Sequence, residues 1–335
     1  MIALLLACSS KSEGIRDEEV VATENQGNSA DGETYYITHY NVIFAPDLSN
    51  RVDPSLYPRS LDDRQILDVL LDNIYPRILN YKRSSNQLDE FSMSFVNQKL
   101  ASAYGVEVDK LNIDFGKFGH KQLERIDYIK GRSESTLEKD VTSFTGEFEK
   151  VYSSAVQQTF GADIWTFLNS GVDNLMLKSA ADPRFFNGKT YVDNYRNVLV
   201  LLTDGYLEAG LYGSKACPET NRCYYLSKEK VDGFRSAFLK SGEKDMKAFF
   251  EKNNYGIVPV NNPQLQHAEI LVLEMYDRSL SKGGSATVHP SDMEILQLFW
   301  TDWLEASGVK RYELRPALST KEETERVILN FMGVK

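Results

Sequence analysis

The sequence predicts an α/β protein with a doubly wound, mostly parallel central sheet, one antiparallel edge strand and helices on both faces. Three segments are continuously apolar, at residues 42–45, 198–202 and 270–273, as in strands that are buried on both faces. Segments with helical spacing of apolar residues separate them, which is the pattern of a parallel sheet joined by crossover helices. The chain has 335 residues, of which 42% are hydrophobic, so it can form a sizeable core.

The elements follow one another in the order β-α-β-β-α-α-β-α-β-α-β-α. The predicted strands are 35–45, 91–96, 111–115, 198–202, 268–274 and 312–315. The predicted helices are 63–78, a mostly helical stretch over 123–177, and 227–253, 292–306 and a last helix from 319 onward. Only about 14 residues join the second and third strands, which makes these two the candidate antiparallel pair.

Helix starts are marked by residues that cap exposed backbone N–H groups. The run Ser60-Leu61-Asp62-Asp63 offers a cap followed by early acidic residues before the first helix. Ser319, with Glu322 three residues later, has the spacing of a capping box at the last helix.

The charge balance limits the partners that the chain can take. It has 38 basic and 48 acidic residues, a formal net charge of −10, which argues against nucleic acid as the main partner. No apolar run approaches the roughly 18 residues of a membrane-spanning helix. We therefore expect no transmembrane segment.

The first eight residues end in Leu5-Leu6-Ala7-Cys8, which resembles the lipobox of bacterial lipoproteins. In that family the chain is cut before the cysteine, which becomes acylated. The segment before Cys8 is short for a signal peptide and lacks basic residues, so either the true start lies upstream or the match arose by chance. Residues 9–34 are rich in small polar and acidic residues and read as a flexible tether. The resemblance implies a lipid-anchored protein of the bacterial cell envelope, periplasmic or on the cell surface.

The other two cysteines, Cys217 and Cys223, lie in Cys-Pro-Glu-Thr-Asn-Arg-Cys. Outside the cytoplasm a disulfide that closes this small loop is the favoured interpretation, and two free thiols are the alternative. Zinc is disfavoured because a tetrahedral site needs four ligands and no histidine lies nearby.

Two predicted strands end in polar residues suited to a binding site. Asp47 and Ser49 follow the first strand, and Asp204 follows the strand that ends at Leu202. In an open α/β sheet, ligands bind outside the carboxyl ends of the strands. Two carboxylates and a hydroxyl are oxygen ligands that suit Mg²⁺ or Ca²⁺, although each aspartate alone also fits a turn or a helix cap.

At these residues the sequence resembles the von Willebrand factor A-type (VWA) domain family. That family has a metal-ion-dependent adhesion site built from Asp-x-Ser-x-Ser after its first strand, a threonine on a later loop, and an aspartate after its fourth strand, often within Thr-Asp-Gly. Asp47-Leu48-Ser49-Asn50-Arg51 matches the first two positions. Thr203-Asp204-Gly205 matches the last motif. Phe160-Gly161-Ala162-Asp163-Ile164 is similar to the family's Gly-Gly-Thr-Asp-Ile loop, and the element order agrees over about residues 36–333.

The site also departs from the family pattern. Arg51 stands where the second serine belongs, and Ala162 stands where the threonine belongs, so two hydroxyl ligands are missing. Asp163 is a candidate replacement for the second of them. The guanidinium of Arg51 either pairs with Asp47 or Asp204 in place of the metal, or lies outside the site.

The resemblance implies a protein-binding or adhesion module over residues 35–335, whose metal coordination is completed by an acidic group of a protein or peptide partner. The alternative is a Mg²⁺-dependent hydrolase or phosphatase that uses Asp47 as nucleophile. In haloacid-dehalogenase-like phosphatases a second aspartate follows two residues later, and here that position is Ser49. We therefore expect a binding function rather than an enzyme.

Overall fold

The structure is a computed structural model that describes residues 34–97, 103–157, 161–210, 217–281, 284–285 and 287–335. The predicted lipidation residue Cys8, the predicted tether and Phe160 lie outside the described residues.

A seven-stranded sheet forms the centre of the fold. Its strands are β1 (Thr34–Pro46), β2 (Glu90–Met93), β3 (Asn112–Asp114), β4 (Arg184–Phe186), β5 (Lys189–Leu202), β8 (Ala268–Met275) and β9 (Arg311–Pro316). A separate two-stranded sheet contains β6 (Arg222–Cys223) and β7 (Gly256–Ile257). The strand order of the main sheet is β3-β2-β1-β5-β8-β9, and β4 pairs with β5. Strands β2, β1, β5, β8 and β9 pair in parallel, whereas β3 is an antiparallel edge strand. The predicted sheet is thus confirmed.

Eight α-helices lie among the described residues. They are α1 (Asp63–Asp72), α2 (Gln122–Ile129), α3 (Leu137–Gln157), α4 (Ile164–Thr166), α5 (Lys228–Ser241), α6 (Met246–Lys252), α7 (Asp292–Ala306) and α8 (Lys321–Met332). Short 3-10 or π turns occupy Asn50–Val52, Ile74–Ile78, Val108–Leu111, Gly116–Phe118, Phe167–Gly171 and Pro263–His267. None of the helices in the described ranges is long and apolar enough to cross a membrane.

Helices cover both faces of the sheet because successive strand residues point to opposite sides. Val42 and Phe44 of β1 face an apolar layer formed with α1, α3 and α8. Ile43 and Ala45 face the other layer, formed with α5, α6 and α7. The two layers bury every side chain from Val198 to Leu202, which explains why that run is apolar without alternation.

Several elements differ from the sequence prediction. The short strands β4, β6 and β7 were not predicted, α1 ends at Asp72, and the helical stretch predicted over 123–177 is divided. β5 begins at Lys189, well before the apolar run at Val198, because its first half pairs with β1 from Thr34 onward and remains only partly buried. The helical stretch predicted over 227–253 is divided into α5 and α6.

Both helix caps lie one or two residues after the predicted positions, Ser60 and Ser319. The Asp62 carboxylate caps α1, and Gln65 completes the capping box. At the last helix the cap is Thr320 rather than Ser319, and its hydroxyl accepts a hydrogen bond from the N–H of Glu323.

Two neighbouring tryptophans on α7 connect the core to the carboxyl ends of the strands. Trp300 and Trp303 are both fully buried and pack edge to face with ring centroids 5.1 Å apart. The indole N–H of Trp300 donates to the backbone carbonyl of Gly205, at 2.8 Å. The indole nitrogen of Trp303 has no hydrogen-bond partner among the described residues.

We predict that Trp300→Phe lowers the free energy of unfolding by about 1–3 kcal/mol more than Trp303→Phe. Both substitutions remove the same atoms from the core, but only Trp300→Phe leaves a buried carbonyl, that of Gly205, without its donor. Urea denaturation of the two variants beside the wild type measures the difference. Equal losses would show that the bond to Gly205 contributes nothing.

Candidate functional site

The pairing of β1 with β5 brings the predicted aspartates to the same edge of the sheet. The two strands pair in register up to Pro46 and Leu202, and the N–H of Asp47 donates to the carbonyl of Leu202 at 2.9 Å. The hydroxyl of Thr203 donates to Asp47 Oδ2 at 2.9 Å. Asp204, the next residue along the chain, is also buried.

The loop after Asp47 is shaped by the aspartate itself. Asp47 Oδ1 accepts a hydrogen bond from the N–H of Ser49 at 3.0 Å, as in a turn closed by an aspartate side chain. Ser49 is partly buried and precedes the 3-10 turn Asn50–Val52. Asp47 therefore organises the loop that carries Ser49, Asn50 and Arg51.

Arg51 points into the protein and is only 1% exposed. Its two terminal nitrogens lie 3.1 and 2.5 Å from the two carboxylate oxygens of Asp63, the first residue of α1. Its Nε lies 3.9 Å from Asp47 Oδ2. The same Asp63 accepts a hydrogen bond from Arg59, at 2.9 Å, and Arg59 also lies 3.3 Å from the buried Glu274. These charged side chains thus pair with one another in the interior of the protein, beside the carboxyl end of β1.

A second arginine, Arg278, pairs with the other aspartate. One terminal nitrogen of Arg278 donates to Asp204 Oδ2 at 2.7 Å, and the other donates to Glu208 at 2.8 Å. The guanidinium carbon lies 3.9 Å from the ring centroid of Tyr206 and 5.1 Å from that of Tyr57, within cation–π distance. The Arg278 side chain is 16% exposed, so the site reaches the surface at this residue.

Burial changes the acidity of both aspartates. It raises the pKa of Asp47 from 3.8 to about 6, against the opposing effect of Arg51, and repulsion from Asp204 raises it further. Burial also raises the pKa of Asp204, with Arg278 as the main opposing charge. Each arginine offsets part of the cost of burying a carboxylate.

Residues 161–164, which are similar to the threonine loop of the VWA family, contain a helix cap. The carboxylate of Asp163 caps α4, accepting from the N–H of Thr166 at 2.9 Å and from its hydroxyl at 2.7 Å. A side chain at Gly210 would meet this carboxylate at 2.7 Å. Ala162 is buried and offers no side-chain oxygen. The Asp163 oxygens are thus already engaged in a helix cap.

The donor set does not fit a hard divalent cation. Both oxygens of Asp47 accept hydrogen bonds, one from the N–H of Ser49 and one from the hydroxyl of Thr203. Both oxygens of Asp204 are also hydrogen-bonded, one by Arg278 and one by the N–H of Tyr206. A guanidinium stands at the position of the second serine. Across the described ranges, no group of three or more histidine, cysteine, aspartate or glutamate residues has an arrangement that could hold a metal.

The cysteine loop lies near the same edge of the sheet. The Sγ atoms of Cys217 and Cys223 are 2.10 Å apart, at disulfide distance. Soon after Cys223, Leu226 pairs with Leu207 in an isolated antiparallel bridge, so the chain returns to the segment that follows Asp204.

Four charged residues of this region were not predicted from the sequence: Arg59, Glu208, Glu274 and Arg278. Arg278 follows β8, the next strand in the sheet after β5, so the rule that polar residues at strand ends form sites applies to it as well. Glu274 has a positive φ of 72°, a conformation that L residues rarely adopt and that no sequence pattern here marks.

Comparison with known proteins does not assign the chain to a family. No protein-family model matches the chain, and no curated protein matches it.

The buried Asp47 leads to a prediction about pH. A carboxyl whose pKa is raised on folding contributes stability below its unfolded pKa, and this contribution is lost as the pH rises through its folded pKa. The stability of the wild type relative to Asp47→Asn should therefore fall between about pH 4 and pH 6, by at most about 3 kcal/mol.

Denaturation of both proteins across this pH range measures the effect. Glu251→Gln, which removes an exposed carboxyl on α6, is the control and should follow the wild type. A constant difference between the wild type and Asp47→Asn would contradict the raised pKa.

The arginine pairing leads to a prediction about metals. Mg²⁺, Ca²⁺ or Mn²⁺ added to the EDTA-treated chain should leave the melting temperature unchanged, because a ligand raises it only by binding the folded state. A rise in the wild type that Asp47→Ala abolishes would show that the native site binds metal.

Proposed function

We propose that this chain is a lipid-anchored lipoprotein of the bacterial cell envelope, whose VWA-like domain binds an acidic group of a protein partner through Arg278 instead of through a metal. The observation that carries the proposal is the position of Arg278. Its partly exposed guanidinium pairs with Asp204, the residue that matches the family's last metal ligand. In a VWA domain the metal at that site receives an acidic side chain from the partner.

A guanidinium is chemically suited to this task. It presents several N–H donors in a plane and binds a carboxylate through two parallel hydrogen bonds. Arg278 uses its terminal nitrogens for Asp204 and Glu208, while its buried Nε has no hydrogen-bond partner among the described residues. The rings of Tyr206 and Tyr57 lie within cation–π distance of the guanidinium and help to fix its position.

Glu208 marks where a partner carboxylate would bind. Its side chain is 36% exposed and contacts Arg278 at 2.8 and 3.2 Å. An exposed ion pair of this kind contributes little to stability, so its exchange for an external carboxylate costs little. A glutamate or aspartate of the partner is thus the natural replacement for Glu208.

Asp47 and Arg51 have a supporting role in this proposal. Arg51 is 1% exposed, and its pairing with Asp63 fixes the loop after β1 to the start of α1. Asp47 is 2% exposed, which also disfavours the alternative of a hydrolase with Asp47 as nucleophile, because a substrate would have to reach a buried carboxylate.

The lipid anchor and the envelope location are supported by the sequence motif that ends in Cys8 and by the small polar residues that follow it. The Cys217–Cys223 pair agrees with an oxidising compartment.

The binding proposal is tested by following the arginine Hε–Nε signals in ¹H–¹⁵N spectra during titration with a short peptide containing one glutamate. We expect the Arg278 signal to shift with this peptide and to stay unchanged with the matching glutamine peptide. Glu208→Gln should lower the peptide concentration needed for half-saturation several-fold, because the internal competitor loses its charge.

Arg278→Gln removes one arginine signal and so identifies it. In isothermal titration calorimetry the same variant should bind the glutamate peptide at least tenfold more weakly, since hydrogen bonds between charged groups contribute about 1.5–3 kcal/mol. Arg315→Gln is the matched control, because Arg315 is a half-exposed arginine that pairs with Glu313 on β9. An unmoved Arg278 signal in both the wild type and Glu208→Gln would refute the proposal.

A further inference from the structure

The first half of β1 and the first half of β5 extend beyond the rest of the main sheet. Pairing of β1 with β2 begins at Asn41, and pairing of β5 with β8 begins at Asn197. Before these points, among the residues that the structure describes, the two strands pair only with each other and with β4. We call this three-stranded extension, residues 34–40, 184–186 and 189–196, the aromatic ribbon.

The tip of the aromatic ribbon exposes two large apolar side chains. Phe185 is 81% exposed and Phe186 is 65% exposed. Asn187 and Gly188, with φ of 49° and 73°, form the two-residue turn between β4 and β5, whose positive φ values suit a tight hairpin. The hairpin thus holds both phenylalanines on a short, regular support.

Aromatic and basic side chains surround this tip. Tyr35 and Tyr191 stack with centroids 5.5 Å apart, and the Lys189 ammonium lies 4.8 Å from the Tyr35 ring. Tyr36, also on the ribbon, is 39% exposed. Amphipathic rings and long basic side chains beside exposed phenylalanines are the composition of a membrane–water interface.

The place where residues 1–33 join the fold favours a lipid bilayer as the partner of this tip. Thr34 and Phe185 both lie opposite Thr190, on its two sides, so their backbones are two strand spacings apart, about 10 Å. The 33 residues outside the structure join the protein at Thr34. The 25 residues from 9 to 33 span at most about 90 Å even when fully extended, so a membrane that holds Cys8 stays within that distance of the tip.

We propose that the tip of the aromatic ribbon inserts Phe185 and Phe186 into the interface of a lipid bilayer. This inference rests on the proposed lipid anchor for its choice of occupant. Insertion would orient the molecule, because the ribbon is at the amino end of β1 and Asp47 follows its carboxyl end. A strand of 13 residues is about 40 Å long, so the candidate site would face away from the membrane.

The attraction should be mainly apolar. Arg184 of the ribbon is already paired with Asp193, at 2.7 Å, and the chain as a whole has a net charge of −10. We therefore expect binding to uncharged phosphatidylcholine vesicles, with little dependence on salt.

The experiment is flotation of the full, unlipidated chain with phosphatidylcholine vesicles. Leu4, Leu5 and Leu6 are changed to serine in every protein tested, so that the start of the chain does not itself bind lipid. We expect the ribbon to carry the protein into the lipid fraction. Phe185→Ser with Phe186→Ser should lower the partition coefficient at least tenfold.

Leu239→Ser is the matched control, since Leu239 is an exposed apolar residue on α5, and it should float like its parent. The melting temperatures of all three proteins should agree, because the substituted side chains are exposed. Equal flotation of the double variant and its parent, or no flotation of the parent, would overturn the inference.

Sedimentation of the same proteins without vesicles tests whether a second copy of the chain, rather than lipid, binds the tip. A dimer that the two serines dissociate, with no vesicle binding, would assign the tip to a second copy and overturn the bilayer inference. Because the proteins are unlipidated, flotation does not depend on Cys8 acylation. The Arg278 signal in the double variant should still respond to the glutamate peptide, which separates failure here from failure of the proposed function.

Discussion

The in-register pairing of β1 with β5 is the constraint on which the rest of the structure depends. The ladder runs from Thr34 opposite Thr190 to Pro46 opposite Leu202. At its carboxyl end it places Asp47 beside Thr203, and at its amino end it forms the aromatic ribbon. A slip of one residue would turn every side chain of one strand to the opposite face of the sheet, and the apolar run at 198–202 would lose its fit to both layers.

The carboxyl end of this ladder is stabilised by compensation of buried charges. A carboxylate removed from water needs a nearby cation or hydrogen-bond donors, and Asp47, Asp63 and Asp204 have both. Removal of one member of such a group leaves the other charge buried and unpaired, which commonly costs about 3–5 kcal/mol. The arginines are therefore part of the fold as well as of the proposed binding surface.

Much of the fold could be predicted from the sequence, because its central strands are apolar on both faces and few other structures bury such runs. β8 was predicted nearly to its observed limits for this reason, and α7 was predicted from the helical spacing of its apolar residues. The first half of β5 could not be predicted, since residues such as Asp193 and Asn197 are stabilised there by side-chain hydrogen bonds rather than by apolar contacts.

The same limit applies to the candidate site. Asp47 and Asp204 could be found because each follows an apolar strand within a short motif. Arg278 also follows an apolar strand, but its pairing could not be predicted, because its partners Asp204 and Glu208 are at least 70 positions away in the chain and only the folded structure brings them together. Charge pairing over such separations leaves no local pattern in the sequence.

The Arg278–Asp204 pair has a consequence for where such a module can work. A guanidinium is part of the polypeptide and keeps its charge at any physiological pH. In the proposed site, competence to bind would be complete as soon as the chain has folded. It would not vary with the supply of calcium or magnesium outside the cell, and chelating molecules in the surroundings could not switch it off.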